Sequence, residues 1–146
     1  MKWLVSFPPR SAALLAINLL FLMVWGFAGV DKLRTGFPAW FPDKFGGTFL
    51  ARFPGLRVSF WSLTAAEVLA LVLALVALAR LDFLGRRPPQ ALAWMLAWSL
   101  FVFVQLGFGQ WLTSEFNATA QLFAYFAGTL VCLQYVQAGN RATEPR

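Results

Sequence analysis

One carboxylic acid stands inside the long apolar runs of this 146-residue chain. It is Glu67, in the stretch SLTAAEVLALVLALVALAR. An ionisable side chain in a hydrocarbon medium is costly, so it counts as a functional candidate by default. It also has a structural reading, as a hydrogen bond between helices. On a helical wheel Glu67 borders Ala66, Ala70, Ala74 and Ala77, a narrow stripe of small side chains that lets a neighbouring helix come close. The carboxyl is therefore expected to face other helices, as a structural bond or as a ligand or proton site. Burial disfavours its charged form unless a cation is near. Lys32, just behind the first apolar run, has a stem long enough to reach toward Glu67 or toward water.

Other polar residues fall on defined faces. In the fourth run, Asn117, Gln121, Tyr125, Gly128, Cys132 and Tyr135 lie within about 80° of one another at helical spacing. In the third, Trp94, Trp98, Phe101 and Gln105 share a face, where aromatic planes beside an amide could hold a quinone head group, although such a row more often simply packs or faces lipid. In the first, Asn18, Trp25 and Gly29 share a face with Lys32 just beyond. Counting about 1.5 Å per residue from the outer ends of the runs, Trp25 lies about 8 Å deep, Glu67 about 12 Å, and Gln105 and Tyr125 about 10 Å. The expectation is a polar pocket in the outer half of a helix bundle, opening beneath the first loop. Its ligand candidates are Glu67, Lys32, Gln105, Tyr125, Gln121, Trp25 and Asn117. Asn117-Ala118-Thr119 matches a glycosylation sequon, but its place at a span edge argues against use.

Composition excludes much other chemistry. There is no histidine and a single cysteine, Cys132, read as a buried inert thiol. Haem ligation by histidine, histidine-based metal sites, a Ser-His-Asp triad, an internal disulfide and a CxxC redox pair are absent from this chain. No metal and no covalently bound cofactor is expected; quinone is the cofactor candidate. The net charge of +6 sits in short clusters between apolar runs, which suits anionic lipid and topology rather than nucleic acid.

The elements that must position these residues follow from hydropathy. The chain is 60% hydrophobic and 12% charged, against about 25% charged for an ordinary soluble domain. Four runs, 12–30, 59–79, 91–112 and 118–136, match the roughly 20 residues a helix needs to cross a bilayer. The fold expected is an all-α integral membrane protein: a single domain, a four-transmembrane-helix bundle with a short amphipathic interfacial helix in the first loop. Lys2, Arg10 and Gly26-Phe27-Ala28 imitate a signal peptide, but the run is long and three more follow, so it is read as a retained span. Lys2 and Arg10, then Arg80, Arg86 and Arg87, then Arg141 and Arg146 mark one side as basic. The third loop, Thr113–Asn117, has no Lys or Arg. This pattern predicts both termini in the cytoplasm, against the vote of a long first loop, 31–57, that holds five basic residues. In that loop Asp31, Lys32 and Arg34 are expected to end the first span at the headgroups, with Trp40 as an anchor. Phe45, Phe49 and Phe53, spaced by four, predict the interfacial helix, although Gly46 and Gly47 weaken it. Residues 138–146 are read as a disordered tail.

The segments GFAGVDKL (Gly26–Leu33), KFGGTFLARFPGL (Lys44–Leu56), EVLALVLALVALAR (Glu67–Arg80) and FNATAQLFAY (Phe116–Tyr125) together resemble the DoxX family of four-helix bacterial membrane proteins. The resemblance covers about Gly26 to Tyr135. Thr64 stands where proline is common in that family, and Ala70 and Ala74 where glycine is expected. It implies a cytoplasmic-membrane bundle in which Lys32 and Glu67, and less directly Asn117 and Tyr125, are the residues of interest. Some relatives are linked to quinone-dependent thiosulfate oxidation and others to redox or sulfur homeostasis; many have no known activity. The expected function is a redox-associated membrane subunit, quinone- or sulfur-linked, partnered by lipid and by a redox enzyme subunit. The alternatives are a non-catalytic accessory or assembly subunit of a larger membrane complex and, with less behind it, a small-molecule or proton transporter. The sequence gives no oligomeric state and no nucleic-acid partner.

Overall fold

Long runs of Leu, Ala, Val and Phe without internal proline leave the backbone one way to bond itself in hydrocarbon, the α-helix. The computed structural model describes residues 8–85 and 87–141, and those residues form helices and turns with no strand. The four long helices are α1 (Pro9–Thr35), α3 (Leu56–Ala79), α4 (Gln90–Leu112) and α5 (Phe116–Arg141), with a short α2 (Trp40–Phe45) in the first loop. All four are long and apolar enough to cross a membrane, and the chain is a multi-pass membrane protein built as a four-helix bundle. Lys2, Arg86 and Arg146, which entered the charge argument, lie outside the described residues.

Two boundaries differ from expectation. Asp31, Lys32 and Arg34 do not end α1; the helix continues through them to Thr35 and stops at Gly36, whose N–H returns to Lys32 O at 2.9 Å. Lys32 and Arg34 are basic residues in the last helical turn, where a cation is favourable against the helix dipole, so they suit the helix rather than stop it. At the other end of the chain α5 continues to Arg141, into the stretch read as tail; residues 142–146 are outside the described residues.

The first loop does carry a short helix, but it lies earlier than the phenylalanine spacing suggested. α2 ends at Phe45, Gly46 and Gly47 turn the chain, and a single 3-10 turn follows at Phe49–Ala51. Phe41 and Phe45 are buried against Phe60 of α3, whereas Phe49 and Phe53 are exposed. Two glycines in succession cost the most conformational entropy in a helix, and they defeat the periodic pattern there.

Packing is built on α3. Its fully buried Ala70, Ala74 and Ala77 face α1 and α4 together with Leu14, Phe21, Trp25, Leu92, Met95 and Leu96. Gly29 brings α1 close to α3: a methyl group there would stand 3.3 Å from the Val68 side chain. The Asn18 amide, oriented by its neighbours, spans Ala74 O and Leu78 N at 3.1 Å each. Trp25 donates to Ser99 Oγ of α4 at 2.9 Å and stacks at 5.2 Å on Phe103. α5 lies on the flank of α4 through Leu122, Phe126, Thr129, Leu133 and Val136. Its far end meets the start of α1, where the Arg10 guanidinium donates to Val136 O at 3.4 Å and covers the Tyr135 ring.

Candidate functional site

Where α1 and α3 run close together, two charges meet. Lys32 Nζ donates to Glu67 Oε1 at 2.8 Å and to Oε2 at 2.7 Å. Glu67 is 1% exposed, and Lys32 is partly open. Gly29, one turn below Lys32, permits this approach. Thr64, one turn from Glu67, is also buried; its hydroxyl donates to Phe60 O of its own helix at 2.9 Å. The carboxylate is thus held by a cation and shielded from lipid, the one arrangement that keeps a charged acid inside a span at modest cost.

Lys32 also lines a cavity of about 580 Å³ beneath the first loop. Trp40, Phe41, Phe45 and Phe60 supply aromatic walls; Asp31, Lys32, Lys44, Gln105 and Gln110 supply polar groups. Phe41 and Phe45 stack at 4.5 Å, and Phe60 meets Phe41 edge-on at 5.4 Å, so the roof is a packed aromatic cluster. Lys44 reaches from α2 across to α4, donating to Gln110 Oε1 at 3.0 Å, with the Glu115 carboxylate 3.9 Å away. Gln105 Nε2 donates to Ser62 Oγ at 3.2 Å, tying α4 to α3 at the edge of the cavity.

The sequence candidates separate into three groups. Lys32 and Gln105 line the cavity, and Glu67 stands directly behind Lys32. Trp25 is buried in the same layer but is committed to Ser99 and Phe103. Tyr125, Gln121 and Asn117 turn away from the interior; Tyr125 is 55% exposed, with its ring 6.1 Å from that of Phe103. The face that α5 buries is centred about 100° around the helix from the polar stripe, one residue's rotation. Apolar Leu122, Phe126 and Leu133 gain more from packing on α4 than the polar side chains would. Of the aromatic row on α4, Trp94 and Phe101 face outward, and Trp98 donates to Ala66 O at 2.9 Å. Cys132 is half-buried at the edge of the core.

Three contributors had no sign in the sequence. Lys44 entered only as one of the five basic residues of the first loop, and nothing local links it to Gln110, 66 residues away. Ser62 is a small hydroxyl among many. Asp82 sits in the second loop, buried, where its Oδ2 accepts from Leu92 N at 3.1 Å and Arg80 lies 3.7 Å away; it braces the start of α4. Set against protein families, curated proteins and solved structures, the chain matches none.

Proposed function

We propose that the chain is a DoxX-like, redox-associated subunit of the bacterial inner membrane that holds a quinone head group under its first loop. The observation that carries this reading is the cavity itself. Its volume lies in the range of small-molecule pockets and leaves room for a quinone head group, and its walls are aromatic. The charged side chains lining it are Asp31, Lys32 and Lys44, with the Glu67 carboxylate on the back of Lys32, so positive and negative charges balance. A balanced site with ammonium and amide donors favours an uncharged head that carries acceptor oxygens, as a quinone does. The chain has no histidine and one cysteine, so electrons would come from a partner, such as a sulfur-handling redox enzyme. Adding a tail-less benzoquinone to purified protein should quench tryptophan fluorescence saturably, and Lys44→Met should weaken that binding. Unsaturable quenching, identical in both proteins, defeats the reading.

The basic residues favour the first-loop end as the periplasmic side, with both termini in the cytoplasm. A reporter active only in the periplasm should be active when fused after Glu115 and silent when fused at Gly85. The opposite pattern reverses the orientation.

A second reading, an accessory or assembly subunit, has its own support in the polar residues that α5 turns outward. Gln121 and Tyr125 lie within a span and face away from the bundle, where polar side chains gain from a partner helix. A stoichiometric partner recovered in mild detergent, and lost with Gln121→Leu, favours it; a protein that stays alone counts against it. A transporter has less behind it, since each of the four spans is one unbroken helix among the described residues.

A further inference from the structure

On its α3–α4 side the cavity under the first loop adjoins a second hollow. Ser62 of α3 and Gln105 of α4 line the cavity, and the same two residues line the hollow, farther along the seam between these helices. That hollow has a volume of about 440 Å³ and is walled by Ala65, Ala66, Leu69, Trp98, Phe101 and Val102. Leu69 and Phe101 are 42% and 69% exposed, so it opens on the outside of the bundle, where the bilayer lies. We propose that the α3–α4 seam is the route by which an uncharged, hydrocarbon-tailed molecule passes from the bilayer to the cavity. The tail rests in the hollow, and the Gln105–Ser62 hydrogen bond is the latch that the head displaces. This rests on reading the cavity as a head-group site.

The packing around the cavity selects this route. On the opposite seam α1 and α3 are closed by the approach of Gly29 to Val68 and by the Lys32–Glu67 pair. Above, α2 and its phenylalanine cluster roof the cavity. On the α3–α4 side, Gln105 and Ser62 stand between the cavity and the hollow, joined by a bond between two neutral groups, weaker than the charge-assisted bonds elsewhere around the cavity. Ala65 and Ala66 leave room because they are small, and Trp98 forms a fixed wall, anchored by its bond to Ala66 O. Once parted, the Gln105 amide becomes a free donor at the cavity's edge, placed to meet an acceptor oxygen on the incoming head, while the Ser62 hydroxyl keeps its own donation to Ser59 O at 2.9 Å. A tail drawn from lipid into an apolar hollow exchanges one apolar setting for another, so the seam governs access rather than supplying affinity.

The test uses the full chain in phosphatidylcholine nanodiscs and a dimethoxy-methyl-benzoquinone with and without a decyl tail, followed by tryptophan quenching. Ala65→Phe adds a ring on the exposed side of α3 and fills the hollow; Leu75→Phe adds similar bulk on another lipid-facing part of the same helix. Ala65→Phe should weaken binding of the tailed quinone by about tenfold or more, equal to at least about 1.4 kcal/mol, and leave the tail-less one unchanged. Leu75→Phe should alter neither. The inference is overturned if Ala65→Phe leaves tailed binding intact, if it weakens both quinones alike, or if Leu75→Phe matches its effect. If the wild-type protein binds neither quinone, the head-group reading fails first and takes this route with it.

Discussion

Lys32 and Glu67 show what a charge inside an apolar run demands. The carboxyl of Glu67 could be expected to face other helices because alanines surround it, and a cation was the natural companion for a buried acid. The structure supplies that cation from the end of α1 at 2.7 Å. Removing one member of a buried pair leaves the other uncompensated, at a cost on the order of 3 kcal/mol, whereas removing both is often close to neutral. Lys32→Met should therefore lower unfolding stability in detergent more than Glu67→Gln does, since a freed Lys32 can still reach water and a freed Glu67 cannot. The double variant Lys32→Met, Glu67→Gln should recover most of the loss. Equal, additive losses in the cycle would show that the two side chains are not energetically coupled. The Lys44–Gln110 bond had no such logic: a lysine in a wet loop and an amide at a helix end are each satisfied by water, so neither demanded the other.

At the scale of elements, the four spans were legible within a few residues, because length and hydropathy leave a helix few alternatives in lipid. The first loop was not. Three phenylalanines at four-residue spacing read as one helix face, yet only Phe45 is in an α-helix, and the burial follows Phe41, Phe45 and Phe60 instead. Spacing describes a face only where the backbone stays helical, and Gly46-Gly47 ends that condition. The division carries a prediction. Phe45, at 7% exposure, should cost about 3 kcal/mol on replacement by alanine, as buried aromatic truncations do. Phe53, at 79%, should cost almost nothing in fold stability. Proteolysis at the basic sites Arg52 and Arg57 reports the difference: Phe45→Ala should speed cleavage in membranes, and Phe53→Ala should leave it unchanged. Faster cleavage with Phe53→Ala alone would place the loop's anchor at the wrong phenylalanine.

Taken whole, the bundle is lopsided. α1, α3 and α4 surround a common core, while α5 is held along its length by α4 and at one end by Arg10. The sequence could not reveal this, since its polar stripe argued for an interior face and the apolar face of α5 is no more prominent than its others. Cys132, the sole cysteine, sits half-buried in α5 and is a natural reporter. In rising denaturant it should react with a thiol reagent before a cysteine introduced at Ala74, in a Cys132→Ala background, becomes reactive. Simultaneous exposure of both would mean that α5 leaves only when the core does.

The Lys32–Glu67 pair also has a bearing on how the chain is made. Its members are 35 residues apart, and synthesis delivers the lysine first. When α3 emerges, it carries an acid that acyl chains cannot neutralise, and α1 is already present with the matching ammonium near the surface. The two helices are then best released into the bilayer as a hairpin, the second waiting on the first. Pulse-labelled chains carrying Lys32→Met should stall with α3 unintegrated, even when the finished protein that escapes this stage folds.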